Sequence, residues 1–335
     1  MNKTLLVGIA ILILLLIVTG VYVLVTPRHT EDIYTVCILS GLDFFADTAG
    51  GFKEGMKELG YEEGKNIHYD EWKTNFDETA YRRILLKFIA DKVDLVFVFP
   101  SEAAVIAKEM LQGKNIPIVF GNANIEGTNL VQSIAEPGDA ITGVRYPGPD
   151  LALKRFEIMR ELVPGMKELW VPFQRGYPIV ESQLEVLRAA ASVAGITLTE
   201  IPSSSAAELQ SQFQSILQSK NKSPDAILAI AEPLAVTPDA FQVIGAFAAA
   251  LKIPVGGPPM AAGDYESIFG VSTDNMRVGR QASFLADKIL KGVPAGTIPV
   301  VSAESFLQVN YRAAQKAGIS IPEGLLNRAN QIINR

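Results

Sequence analysis

From residue 33 onward, short apolar runs rich in β-branched side chains alternate with amphipathic stretches of helical periodicity. Residues 33–39 and 95–99 are two of the apolar runs, and residues 77–92 carry apolar side chains at the spacing that lines one face of a helix. Strands that alternate with helices in this way are typical of parallel sheets joined by crossover helices. The sequence therefore predicts an α/β protein.

The alternation comes in two series. The first ends with the apolar run 116–120, and the second starts after the YPGP segment 146–149, whose residues interrupt regular structure. The chain has 335 residues, more than the roughly 100 to 200 of a usual single domain. We therefore predict two sheets. Residues 265–310 hold a further strand, helix and strand, by which the chain returns to the first sheet and crosses back.

The individual elements follow from periodicity and end signals. In the first series, Asp47 is expected to cap a helix that runs to Leu59 and stops at Gly60, and Ser101 is expected to open another. In the second series, helices are predicted at 150–163, 178–194, 205–220 and 238–251, and strands at 168–173, 196–201, 225–230 and 253–256.

Residues 5–25 form an apolar segment without a Lys, Arg, Asp or Glu side chain. A helix of this length crosses about 30 Å of hydrocarbon. Lys3 precedes the segment, and Arg28 follows it but is itself followed by the acidic Glu31. The positive-inside rule therefore weakly favours a cytoplasmic N-terminus. We predict an uncleaved signal anchor, a transmembrane helix that tethers the rest of the chain outside the cytoplasmic membrane. The alternative is a secreted protein whose signal peptide is cleaved near residues 18–20.

The composition argues against several classes of function. The 30 Lys and Arg against 36 Asp and Glu give a formal net charge of −6, so the chain lacks the basic surface that nucleic acid binding requires. The single Cys37 and the two histidines, His29 and His68, are too few for a disulfide framework or a soft-metal site. The sequence has no phosphate-binding loop and no dinucleotide fingerprint. We expect no metal, no cofactor and no nucleic acid partner, and we predict that Cys37 is a buried strand residue.

The candidate binding residues lie in loops that follow predicted strands, because the carboxyl ends of the strands surround the ligand crevice of an open α/β sheet. A hydroxyl at a helix start, such as that of Ser101, suits a carboxylate, although a plain N-cap is the alternative. Two adjacent aromatic rings in a loop suit a planar ligand, although packing within the loop is the alternative. In the first series these residues are Ser40, Phe44, Phe45, Ser101, Asn122 and Asn124.

The second series contributes Gln174, Tyr177 and Glu232, and Asp274 after the strand predicted at 265–272 completes the set. Glu232 is a stronger candidate than Gln174 and Tyr177, because a carboxylate at a strand end in a cleft can hold an ammonium group. The alternative for Glu232 is a solvated acid at the start of a helix. Catalysis is not indicated, because no nucleophile and base can be brought together from these loops. We therefore predict a binding protein rather than an enzyme.

Several motifs resemble those of a known family. Residues 51–66 read GFKEGMKELGYEEGKN, residues 116–120 read IPIVF, and EPG at 136–138 is followed by ITGV at 141–144. Further matching motifs are VGRQA at 278–282, ILKG at 289–292 and AGISIP at 317–322. Together they resemble the substrate-binding proteins of ABC transporters, in the branch labelled tryptophan/tyrosine type. The resemblance spans nearly all of residues 33–331.

The resemblance implies a type I periplasmic-binding fold, in which two Rossmann-like lobes joined by three crossings close on a small ligand. The implied lobes are 31–146 with 272–304, and 147–271 with 305–335, after a membrane segment and linker at 1–30. By position, Ser101 and Glu232 match residues of the family that suit the carboxylate and the ammonium group of an amino acid. The sequence departs from the family at two places that concern the ligand. Gln174 stands where the family usually has an asparagine-like residue, and the GGPP turn at 256–259 lacks polar side chains.

These observations lead to a functional hypothesis. The chain is expected to be an extracytoplasmic solute-binding protein that captures a small molecule, an aromatic or other amino acid, and delivers it to an ABC permease and its ATPase. A ligand-sensing ectodomain that works with a separate membrane receptor or kinase is the alternative.

Overall fold

The computed structural model describes residues 33–41, 45–75, 77–219 and 223–334. The predicted signal anchor at 5–25 and the candidate residue Phe44 lie outside these ranges. Within them, no helix has both the length and the apolar character needed to cross a bilayer.

The first part of the chain alternates strands and helices as predicted. Its elements are β1 (Tyr34–Ser40), α1 (Ala46–Glu58), β2 (Ile67–Lys73), α2 (Glu78–Asp91), β3 (Leu95–Phe99), α3 (Ser101–Leu111), β4 (Ile118–Ala123) and β5 (Ile141–Arg145). The helix α1 begins at Ala46, and the residue before it makes no side-chain cap. The prediction that Asp47 caps this helix is therefore wrong, because Asp47 lies inside the first turn. Gly60, with φ of +94°, follows the end of the helix as predicted.

The second part continues the same alternation. Its elements are α4 (Gly148–Leu162), β6 (Glu168–Gln174), α5 (Val180–Ala194), β7 (Thr197–Ser203), α6 (Ala206–Ser219), β8 (Ala226–Leu228), α7 (Pro238–Leu251), β9 (Val255–Gly257), the hairpin of β10 (Ala261–Ala262) and β11 (Tyr265–Glu266), and β12 (Phe269–Thr273). The last part comprises α8 (Asn275–Leu290), β13 (Val301–Ser302), β14 (Ser305–Asn310), α9 (Tyr311–Ala317), α10 (Glu323–Arg328) and β15 (Gln331–Ile333).

These strands form two large sheets. The first has the order β13-β5-β4-β3-β1-β2, and each of its ladders in the described part of the chain is parallel. The second has the order β15-β14-β12-β9-β8-β6-β7, with β14 antiparallel to β12. We call the parts built on the two sheets the first lobe and the second lobe. Within the described residues the chain passes between the sheets after β5, after β12 and after β13. The residue limits predicted for the lobes remain a proposal.

Alternation of side chains along β1 explains why helices cover both faces of the first sheet. Val36 and Ile38 belong to the core cluster that includes α1 and α8. Cys37 and Leu39 point to the opposite face and join the cluster of α2 and α3. The prediction for Cys37 is confirmed, since the side chain is fully buried. Burial, and after it the charge of Asp70, raises the pKa of the Cys37 thiol to about 12.

The helices α1 and α8 pack so closely that glycine is required at their contact. A Cβ atom on Gly279 would lie 2.1 Å from the carbonyl oxygen of Thr48 and 2.5 Å from the amide nitrogen of Phe52. A Cβ atom on Gly51 would lie 2.0 Å from the carbonyl oxygen of Met276. These overlaps involve backbone atoms, which cannot rotate away as a side chain can. The contact between the two helices is therefore a contact between backbones.

We expect Gly279→Ala to lower the free energy of unfolding by about 1 to 3 kcal/mol, because the overlap outweighs the usual helical preference for alanine. Gly50→Ala in α1 is the matched control, since the nearest atom to a Cβ there is the methyl group of Met276 at 3.7 Å. That variant should be as stable as the wild type or more stable by up to about 1 kcal/mol. Urea denaturation measures both. Equal stability of the two alanine variants would contradict the packing argument.

Candidate functional site

The carboxyl edges of the two sheets meet at a cavity between the lobes. Its volume is about 410 Å³, within the range of roughly 300 to 1,000 Å³ that ligand pockets occupy. The first lobe contributes helices α2 and α3, and the second lobe contributes the loop after β6. Side chains that line it include Ser101, Glu102 and Val105 from one side and Tyr177, Pro178 and Ile179 from the other. We call this space the interlobe cavity.

Ser101 begins helix α3 at the wall of the interlobe cavity. The residue before it, Pro100, offers no side-chain cap, so the first amides of the helix lack the usual capping oxygen. The Ser101 hydroxyl accepts a hydrogen bond from the backbone N–H of Asn124 at 2.9 Å. This bond ties the start of α3 to the loop after β4. The two predicted residues Ser101 and Asn124 are thus brought into contact, and both are buried.

Tyr177 connects the two lobes across the cavity. Its hydroxyl donates a hydrogen bond to Oε1 of Glu102. Burial, followed by the negative charge of Glu102, raises the pKa of the Tyr177 phenol well above its usual range, and the more distant charge of Glu232 acts in the same direction. The phenol therefore stays protonated and is a donor at all physiological pH values.

Glu232 is a buried carboxyl group, with 3% of its surface exposed. Its two oxygens accept the backbone N–H groups of Leu234, at 2.8 Å, and Ala235, at 2.6 Å. Burial raises the pKa of this carboxyl from 4.5 to about 7, although backbone N–H groups, including that of Gln174, oppose the shift. The side chain thus closes the turn that follows β8 and does not line the interlobe cavity.

Asn122 lies at the hinge. Its amide group donates to Oγ1 of Thr48 and to Oδ1 of Asn275, both at 3.0 Å, and accepts from Oγ1 of Thr273 at 3.1 Å. Both amide protons therefore have partners within the protein. The backbone of Asn122 is left-handed, with φ of +50°. The side chain joins β4 to the second crossing between the lobes.

The remaining predicted residues lie around these groups. The carbonyl of Ser40, at the end of β1, accepts the backbone N–H of Thr74 at 3.1 Å. Phe45 packs edge to face against Phe99, with ring centroids 6.3 Å apart. Gln174 ends β6.

Asp274 caps α8 by accepting the N–H of Arg277 at 3.1 Å. Its carboxylate also lies 3.6 Å from the Arg277 guanidinium. The Asp274 side chain thus caps the helix that begins at the second crossing.

Glu102 is one of the residues of the cavity wall that the sequence did not point to. An acid in the first turn of a helix is favourable through the helix dipole wherever it occurs, so its presence carries no functional signal. Its position is informative only because the fold places the loop after β6 opposite it.

The fold is that of the type I periplasmic-binding proteins. The family model described as ABC transporter substrate binding protein matches residues 35–333, nearly the whole described chain. The protein belongs to this family of substrate-binding proteins.

Its relatives come from several bacteria. The chain is 24% identical over 257 residues to a tyrosine-binding protein of Clostridioides difficile strain R20291, and the match covers 76% of this chain and 71% of the relative. A conserved domain protein from Vibrio cholerae has a crystal structure with 26% identity and a TM-score of 0.76, covering 90% of this chain and 100% of the other. The ABC domain of Streptococcus pneumoniae in complex with L-Trp matches with 22% identity, a TM-score of 0.77 and the same coverage.

The carboxyl of Glu232 should make stability depend on pH. Between pH 4.5 and about 7 the unfolded chain loses this proton while the folded chain keeps it, so the free energy of unfolding falls as the pH rises. The shift from 4.5 to about 7 corresponds to about 3 kcal/mol. Urea denaturation of the wild type and of Glu232→Gln over this range isolates the effect, because the other titrating groups are shared. Parallel pH profiles of the two proteins would contradict it.

Proposed function

We propose that the protein captures an amino acid with an apolar side chain in the cleft between its lobes and delivers it to an ABC permease and its ATPase. The observation that carries the proposal is the interlobe cavity, whose wall has the hydroxyl of Ser101 on one lobe and the phenol of Tyr177 on the other. Apolar side chains, including Val105, Ile106 and Ile179, share its surface with charged side chains such as those of Glu78, Arg82 and Glu109. Small-molecule sites combine apolar side chains with polar groups that fix the orientation of the ligand.

The ligand's carboxylate is proposed to bind at the start of α3. There the Ser101 hydroxyl still has its proton to donate, and the uncapped amides and the helix dipole favour an anion. Gln174, Asn124 and Ser40 are proposed to form the neighbouring polar wall. The names of two relatives, a tyrosine-binding protein and a domain bound to L-Trp, support an aromatic amino acid as the ligand.

A ligand that touches both lobes stabilises their closed arrangement by its differential affinity for that state. The permease is proposed to recognise this closed form. The apolar segment 5–25 supports a location outside the cytoplasmic membrane, either tethered by that segment or released after its cleavage.

Thermal-shift screening of the full-length chain in detergent tests the proposal directly. A ligand at about 100 times its dissociation constant stabilises the folded state by about 2.7 kcal/mol, and an upward shift in Tm is expected. The panel holds the aromatic and aliphatic amino acids, with sugars and dicarboxylic acids as negative controls. A chain that responds to none of the amino acids would contradict the proposed function.

Ser101→Ala should weaken amino acid binding about tenfold to a hundredfold, because one hydrogen bond to a charged group is lost. Isothermal titration calorimetry gives the dissociation constant, and circular dichroism reports whether the fold is kept. The control is Ser211→Ala, since the Ser211 hydroxyl bonds only to the carbonyl of Ala207 on an exposed helix face among the contacts described. If Ser101→Ala and the control bind with the same affinity, Ser101 is not a ligand-binding residue.

A further inference from the structure

Arg155 lies in the middle of helix α4, and its side chain is fully buried. Its Nε donates to the backbone carbonyl of Val271 at 2.9 Å, and its Nη2 donates to the same carbonyl at 2.6 Å and to the hydroxyl of Tyr146 at 2.7 Å. Its Nη1 has no hydrogen-bond partner among the described residues. Buried charges in proteins usually have a charged partner, whereas the hydrogen bonds of this guanidinium all go to neutral groups.

The Val271 carbonyl depends on this donor because of the way the second sheet is built. On one side of β12, the neighbouring strand β9 ends at Gly257, before it reaches Val271. On the other side, Leu307 faces Val271 in β14, but the N–H and the carbonyl of Leu307 both bond to Asn330. A buried backbone carbonyl without a partner is costly, so Arg155 takes the place that a strand would otherwise fill.

The same guanidinium joins two crossings to α4. Tyr146 lies in the first crossing, between β5 and α4, and packs against the core of the second lobe. Val271 lies two residues before the end of β12, where the second crossing begins. Because Arg155 is fully buried, solvent does not compete for its hydrogen bonds, and the low local dielectric strengthens them.

The bonds between the crossings and the first lobe are more open to solvent. Arg277 of α8 pairs with Glu304 of the third crossing at 2.9 Å, and both side chains are more than half exposed. Thr273, which donates to Asn122 at the second crossing, is partly exposed. Exposed pairs contribute little, because water replaces them readily. The crossings are therefore held more firmly to the second lobe than to the first.

We propose that Arg155 is a positioning residue for lobe closure. It fixes the first and second crossings to α4, so that they move with the second lobe and the hinge bends where they enter the first lobe. The inference goes beyond the proposed function by assigning a residue that controls the motion, and it rests on that function only for the ligand that drives closure. A hinge fixed in this way restricts the lobe arrangements of the ligand-free protein, which reduces the entropy lost on closing.

Two conservative variants in the full-length chain weaken this link. Tyr146→Phe removes one acceptor of the guanidinium. Its matched control is Tyr61→Phe, since the Tyr61 hydroxyl donates to Asp287 within the first lobe at 3.0 Å. Arg155→Lys keeps the positive charge but lacks the planar fork of donors, and its control is Arg160→Lys, at an exposed arginine of the same helix. Urea denaturation gives the stability of all four variants.

The readout is the distribution of distances between spin labels on the two lobes, measured without ligand by double electron–electron resonance. The labels are attached at Arg83→Cys in α2 and Ser211→Cys in α6, both exposed positions, whereas Cys37 is buried and stays unlabelled. Tyr146→Phe and Arg155→Lys should broaden the distribution toward longer distances, and the two controls should match the wild type. Calorimetry should also show the dissociation constant of L-tyrosine or L-tryptophan raised about threefold to tenfold in the first two variants, because a smaller fraction of molecules is competent to close.

Ligand-free distributions of Tyr146→Phe and Arg155→Lys that coincide with that of the wild type would overturn the inference. It is also overturned if Tyr61→Phe broadens the distribution as much as Tyr146→Phe, because a general loss of stability would then explain the change. Should Arg155→Lys not fold, the comparison of Tyr146→Phe with Tyr61→Phe decides. A wild type whose distances change with no amino acid contradicts the proposed function, whereas the ligand-free comparison still decides the role of Arg155.

Discussion

Parallel strand pairing is the constraint on which the functional geometry depends. The ladders of the first sheet in the described residues all run in one direction, so the carboxyl ends of its strands lie at one edge. The second sheet presents β6 and β8 in the same way. The contact between Tyr177 and Glu102 shows that these two edges face each other. Loops from both sheets therefore line one cavity, and a small molecule bound there would touch both lobes.

Polar side chains link the crossings between the lobes. The guanidinium of Arg145 donates to Oγ of Ser302 at 2.7 Å and to the carboxylate of Asp150 at 3.0 Å, which connects the first and third crossings and the first helix of the second lobe. Asn122 makes the corresponding link to Thr273 at the second crossing. Hydrogen bonds of this kind can exchange partners at small cost. The arrangement is suited to a hinge.

Much of the fold could be predicted from local pattern. The helix at 238–251 and the strand at 95–99 have the bounds that periodicity indicates, because each is long, apolar and flanked by end signals. The strands Val301–Ser302 and Gln331–Ile333 could not be found, because two or three residues show no period and their pairing is decided by distant partners. The cap predicted at Asp47 was wrong for a related reason: the helix starts earlier, where Phe45 packs against Phe99.

The candidate site, like the fold, was predictable from the sequence only in part. The sequence by itself determined the α/β class, the two series of elements and the loops that follow the strands, because these depend on side-chain spacing within short segments. Only the tertiary structure decided which polar groups in those loops line the cavity between the lobes. Asn122 is bonded across the hinge and Glu232 is buried against the backbone of its own turn, whereas Glu102 lines the cavity and accepts a hydrogen bond from a phenol of the other lobe. Hydrogen bonding and burial depend on neighbours far apart in the chain, and no local pattern records them.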